Sequence, residues 1–318
     1  MGDKSSIEWT DATWNPTRGC SKVNDECLNC YAMEIAHRFS GAGQPYEGLT
    51  RELAGRGEWN GIVRAVPEKL EQVINWSAPR LIFVDSMSDL FHDQVTFEYV
   101  DKVFGMMAMA HQHCFQVLTK RPARMLEYMR SRRAQWIHEA AKGQLGYHHP
   151  KRRAVNDWPL PNVWLGVSAG RRKSYDEFVP LLRQVPAAVR FISAEPLLEE
   201  LGQLDLAGID WLIAGGESGR RARPSHPDWF RSLRDQCAGA GVPFLFKQWG
   251  EWAPGEIYPI ADGARDGTPG VIELVNERAA FAGMSDRREG QWLRRVGKKA
   301  AGRLLDGVEH NGFPEPRQ

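Results

Sequence analysis

The chain has 318 residues, 42% of them hydrophobic, and 41 basic against 40 acidic side chains leave a net charge of +1. That length allows a sizeable core in one or two domains, and the near-zero charge excludes binding to nucleic acid by bulk electrostatics, so any basic surface is local. No apolar run is long enough to cross a bilayer, and the opening MGDKSSIEW lacks the apolar core of a signal peptide; the expectation is a cytoplasmic protein with no membrane partner.

In chain order, the first apolar, β-rich run covers residues 7–14 and leads into a loop holding three of the five cysteines, Cys20, Cys27 and Cys30. Further runs of the same kind follow at 80–87, 114–120, 162–169, 189–196, 209–217 and 243–249. Amphipathic stretches at 96–111, 174–184 and 228–240 lie between them. Strands of near-continuous apolar character alternating with helices predict a parallel sheet covered by helices. Seven such units predict an α/β fold built as a partial or full parallel (β/α) barrel. Two stretches break the rhythm. Residues 131–160 form a basic insertion carrying His and Trp, and residues 252–318 form a tail rich in Gly and charge. The expected division is a barrel over 1–251 and a carboxyl-terminal extension over 252–318 packing on it.

Each apolar run ends in polar residues: Asp85 to Asp89, Thr119-Lys120-Arg121, Ser168, Ser193-Ala194-Glu195, Gly216-Glu217-Ser218 and Lys247-Gln248. Ligands of parallel α/β folds sit at the carboxyl ends of the strands, so these endings predict a lined pocket. Trp249 and Trp252, at the end of the last strand, are placed to border it and stack a base.

Cys20, Cys27 and Cys30 read C-x6-C-x2-C. Thiolates are soft ligands, and from spacing alone two sites remain open. One is structural zinc, with His37 completing a Cys3His shell in a non-catalytic nucleic-acid or protein binding module. The other is a 4Fe–4S cluster whose fourth iron is left for an exogenous ligand. The unmatched third thiol and the loop's position after the first strand favour the cluster. So do Trp14, Leu28 and Tyr31, which are expected to shield it. Cys114 and Cys237, isolated in apolar settings, read as small buried hydrophobes.

A three-cysteine loop after strand one of an α/β barrel resembles the radical-SAM superfamily, whose commonest pattern is C-x3-C-x2-C with an aromatic before the last Cys. Here the first gap is six, and the aromatic, Tyr31, follows the last Cys. From 9–31 through 296–306 the chain also resembles the three-Cys-motif proteins of phages and bacteria, a group of unknown function. In general layout and in its Thr119-Lys120 strand end it is similar to the spore photoproduct lyases, radical-SAM enzymes of DNA repair.

The resemblance implies a radical-SAM enzyme that uses a 4Fe–4S cluster and S-adenosylmethionine to generate a 5′-deoxyadenosyl radical, with flavodoxin or ferredoxin as one-electron reductant. It implies Ser86, Ser88 and Asp89 at the methionyl ammonium, where the plain alternative is a turn with Asp89 or Asp93 as helix cap. Lys120 and Arg121 are candidates for the SAM carboxylate or a phosphate, and Ser168 and Glu195 for the ribose or methionyl groups. The glycine turn 215–219 is expected to admit a cofactor against bare backbone. Arg220, Arg221, Arg223 and His226 are candidates for a substrate phosphate. With Arg132, Arg133 and Lys151-Arg152-Arg153 in the insertion, they point to a nucleic-acid or nucleotide-like substrate, in repair or modification.

Overall fold

A computed structural model describes residues 4–146, 148–151, 153–254, 271–275, 278–280 and 291–315. All seven predicted strands form: β1 (Ala12–Trp14), β2 (Leu81–Val84), β3 (Cys114–Thr119), β4 (Val163–Ser168), β5 (Val189–Ala194), β6 (Trp211–Gly215) and β7 (Phe244–Gln248). They pair in that order, every neighbour parallel, into one sheet. Sequential order with helical crossovers is barrel topology, and the pairing stops at β1 and β7, so the barrel is partial.

The curl of the sheet can be measured through one side chain. The Trp9 ring lies with its centroid 4.6 Å from Phe83 on β2 and 6.2 Å from Trp211 on β6. Four strand spacings would hold those two strands roughly 19 Å apart in a flat sheet. One indole bridges them because the sheet bends around it.

Alternation divides each strand between two cores. Phe83, Trp164, Phe191, Trp211, Ile213 and Leu245 face inward and form a mostly aromatic plug with Trp9. Ile82, Val84, Phe115, Val117, Leu165, Ile192, Leu212 and Phe246 face outward under the helices. Those helices are α1 (Tyr31–Arg38), α2 (Phe97–Met109), α3 (Pro122–Ser131), α4 (Ala134–Leu145), α5 (Arg172–Leu182) and α6 (Pro227–Ala240).

The predicted insertion 131–160 contains α4, which packs on α2 as part of the helical layer. Two of its basic residues, Arg132 and Lys151, are committed there. Arg132 pairs with Asp101 at 2.8 Å and lies over the rings of Phe97, Tyr128 and Trp136, while Lys151 Nζ donates to Ile74 O. Arg152 and Arg287-Arg288 lie outside the described residues. A hairpin of Thr50–Leu53 and Arg56–Trp59, with no counterpart in the sequence reading, packs against α1.

The tail contains an antiparallel sheet of β8 (Trp252–Pro254), β9 (Val271–Val275), β10 (Arg278–Ala280) and β11 (Gln291–Arg295), ordered β8-β11-β9-β10. The chain then returns to the partial barrel. Gly312 N donates to Phe244 O, Phe246 N donates to His310 O, and Trp211 Nε1 donates to Gly312 O at 2.7 Å. These bonds cover the exposed edge of β7. Asp306, bonded to both Arg231 and Arg234, holds the returning tail to α6.

Candidate metal centre

The cysteine loop leaves β1, crosses the carboxyl ends of the strands and enters α1 at Tyr31. Gly19 makes its first turn possible. Its φ is +91°, and a Cβ there would stand 2.2 Å from the Ile62 carbonyl oxygen. Ser88 Oγ donates to Gly19 O at 2.6 Å and accepts from Thr17 Oγ1 at 2.8 Å. Asn15 Oδ1 accepts from Ser86 Oγ and Met87 N, and Tyr31 Oη donates to Ser86 O at 2.8 Å.

Beyond that turn the loop is tied to strand after strand. Arg121, following β3, donates from Nη2 to Ser21 O at 3.1 Å and Ser21 Oγ at 2.8 Å. Glu26 is buried, accepts from Ser174 Oγ on α5, and sets its other oxygen 3.8 Å from Lys120 Nζ. Asp25 pairs with Arg171 at 2.7 Å. Asn29 Nδ2 donates to Glu217 Oε2 beyond β6 and to Arg221 O. Glu217 is itself bound by Arg223 at 2.5 Å. Glu26, Asn29 and Glu217 carry no recognisable motif; their role is visible only once the loop is folded across the mouth.

The thiols make only weak contacts of their own, Cys20 Sγ to Ser21 O at 3.4 Å and Cys27 Sγ to Asn24 Oδ1 at 3.8 Å. Burial pushes the Cys20 thiol up to about 12, Asp89 pushes the same way, and Arg121 opposes them. Cys30 is raised by burial and then by Cys27, with Lys120 opposing. Among the described residues no three His, Cys, Asp or Glu side chains form a group that could hold a metal ion. Three half-buried thiols beside Lys120 and Arg121 are soft donors of the type that zinc and iron–sulfur clusters take, once deprotonated.

The shielding differs from expectation. Trp14 lies in the outward core and donates from Nε1 to Lys69 O, and Leu28 and Tyr31 are more than 40% exposed. Cys20 and Cys30 pack instead on Met33, Ala36, Tyr46, Leu49, Trp59 and Met87, an apolar cluster built from α1, the hairpin and the end of β2. His37 turns to that hairpin, its Nδ1 3.2 Å from Thr50 Oγ1 and its Cβ against Gly57.

The predicted polar endings do come together. Lys120 Nζ donates to Ser168 Oγ at 2.5 Å, and Ser168 Oγ donates to Glu195 O at 3.0 Å. Lys247 Nζ pairs with Glu195 Oε1 at 2.6 Å, and Gln248 Nε2 donates to Ser218 Oγ. Asp89 is saturated by its own fold: Thr119 Oγ1 and Phe91 N donate to Oδ1, Lys120 N and Arg121 Nη1 to Oδ2. The cap of α2 is Thr96, not Asp89 or Asp93.

Other residues have duties elsewhere. At Gly216 the missing side chain is filled by the Trp249 carbonyl oxygen, 1.9 Å from where a Cβ would stand, so no cofactor meets bare backbone there. Trp249 is buried among Phe230 and Phe246 and donates to Leu304 O, while Trp252 donates to Ala222 O. His226 caps α6 by accepting from Asp228 N. Cys114 and Cys237 stay in apolar surroundings, where burial raises both thiols.

Fold and site together define a parallel partial barrel with a three-cysteine loop laid over its carboxyl mouth. The chain belongs to the family described as "Protein of unknown function (DUF5131)", whose model matches residues 4–314. No curated protein matches it. Among solved structures it is similar to mutant forms of spore photoproduct lyase. One is 11% identical at a TM-score of 0.38 and another 12% identical at 0.37, each likeness covering 93% of this chain and 71% of that one.

Proposed function

We propose that this protein is a radical-SAM enzyme in which Cys20, Cys27 and Cys30 hold a 4Fe–4S cluster. The observation that carries the reading is the placement of Cys20, Cys27 and Cys30, with Arg121 Nη1 3.9 Å from Cys20 Sγ, in a loop over the polar mouth of a parallel partial barrel. Cys20, Cys27 and Cys30 would hold the cluster, which would supply the one electron that splits the sulfonium of S-adenosylmethionine into methionine and a 5′-deoxyadenosyl radical able to take a hydrogen from substrate.

The chain's own residues divide the remaining work. Ser86, Ser88 and Asp89 hold the loop and the strand end beside the methionyl group. Lys120, Ser168 and Glu195 present an ammonium, a hydroxyl and a carboxylate to the carboxylate, amino and ribose groups. The aromatic plug closes the floor and keeps water from entering through it. The substrate we propose is nucleic acid or a nucleotide, with Arg220 and Arg221 at the rim as phosphate contacts; Arg223 is committed to Glu217.

Anaerobic reconstitution followed by dithionite and S-adenosylmethionine tests the reading. The expected result is close to four iron per chain and release of 5′-deoxyadenosine. A colourless protein that retains zinc and leaves S-adenosylmethionine intact overturns it.

A further inference from the structure

Arg121 stands between the cluster loop and the sheet, and its guanidinium reaches three groups at once. Nη1 donates to Asp89 Oδ2 at 2.8 Å and lies 3.9 Å from Cys20 Sγ, within N–H···S range. Nη2 donates to Ser21, whose Oγ is 2.8 Å from His92 Nε2. Asp89, the counter-ion, is fixed in turn by Thr119 Oγ1 at 2.7 Å and by Lys120 N. The two side chains are only 12% and 7% exposed, so water and salt screen them little. A planar fork held at both ends cannot swing away from the sulfur.

The Ser21 and Asp89 contacts of Arg121 tie the loop to the sheet. The third, toward Cys20, places a cation against one thiol, while Asp89 sets an opposing charge just behind it. We propose that Arg121 and Asp89 are positioning residues that set the reduction potential of the cluster through Cys20, Arg121 raising it and Asp89 lowering it. This rests on the cluster reading above. One-electron uptake adds negative charge to the thiolate-bound body. A neighbouring cation and an N–H···S bond therefore favour the reduced form, and a neighbouring carboxylate disfavours it.

The test uses full-length chain reconstituted anaerobically: iron and sulfide per chain first, then the midpoint potential from a dithionite titration followed by electron paramagnetic resonance. With iron at wild-type content, Arg121→Gln should disfavour reduction at least tenfold, a shift of about 59 mV to more negative potential for one electron. Asp89→Asn should move the potential in the opposite direction. A loosened loop would shift both variants the same way, so opposite signs are the signature. Equal or same-signed shifts at wild-type iron content overturn the proposal and leave the cluster reading standing; a wild-type chain that takes up no iron overturns both. If Arg121→Gln loses its iron, Asp89→Asn decides: a shift to more positive potential at wild-type iron content supports the proposal, and an unchanged or more negative potential overturns it.

Discussion

The two ends of the concave sheet face are built from the same strands and the same alternation, yet they carry opposite chemistry. At the amino end the inward positions are Phe83, Trp164, Phe191 and Trp211, closed around Trp9. At the carboxyl ends of β3, β4, β5 and β7 the inward positions are Lys120, Ser168, Ser193, Glu195 and Lys247, and the cysteine loop lies over them. The floor gains from excluding water. The mouth bears the cost of buried polar groups, meets part of it with internal pairs, and keeps Glu26 Oε2 and Gln248 Oε1 buried without a hydrogen-bond partner. That division separates stability from chemistry along single strands.

Substitutions at the two ends should therefore separate folding from metal binding. The largest effect is expected at the mouth. Cys20→Ala, Cys27→Ala and Cys30→Ala should each abolish iron uptake with the circular-dichroism melt little changed, whereas Cys114→Ala should retain full iron. Iron content per chain checks both halves.

On the floor the order reverses. Trp211 is fully buried, and Trp211→Ala should cost about 3–5 kcal/mol in urea unfolding. Whatever protein remains folded should still take up iron. Loss of iron at an unchanged stability would erase the contrast between the two ends.

A subtler cost sits at the end of β2. Asp85 is buried in a left-handed conformation (φ 56°), with Thr17 N donating to Oδ1 at 3.0 Å, and burial pushes its carboxyl up to about 8. Its folded value lies above its unfolded value near 3.8, so the folded chain holds a proton that the unfolded chain releases. This contribution is complete at acid pH and is lost as pH rises toward 8, at about 1.4 kcal/mol per pH unit. Asp85→Asn should flatten the fall in stability between about pH 4 and 8, and unfolding midpoints across that range measure it. An identical pH slope in the variant would contradict a protonated Asp85.

The smallest effect concerns the rim. Arg220→Ala should reduce the salt slope of nucleic-acid binding by about 1, while Arg132→Ala should leave that slope unchanged, since Arg132 is spent on Asp101 and three rings. Fluorescence anisotropy over a salt series distinguishes them. Equal effects would return the insertion to the binding surface.

What the sequence determined by itself was the order of elements and the chemistry available. Seven apolar runs separated by amphipathic stretches leave few solutions other than a parallel sheet under helices, and each run's polar ending announced which end would be wet. Three close cysteines placed soft donor atoms in one loop wherever that loop came to lie. Tertiary structure decided everything that depends on contact between distant residues. It buried Glu26 against Ser174, 148 positions away, and joined Asn29 to Glu217, 188 positions away. It also filled the space at Gly216 with the Trp249 carbonyl and spent Arg132 and Lys151 of the basic insertion on the helical layer. The physical reason is one of range. Periodicity and residue type report local preference, whereas partnership between charges, and whether a glycine is open or filled, depends on surfaces that meet only after the chain has closed.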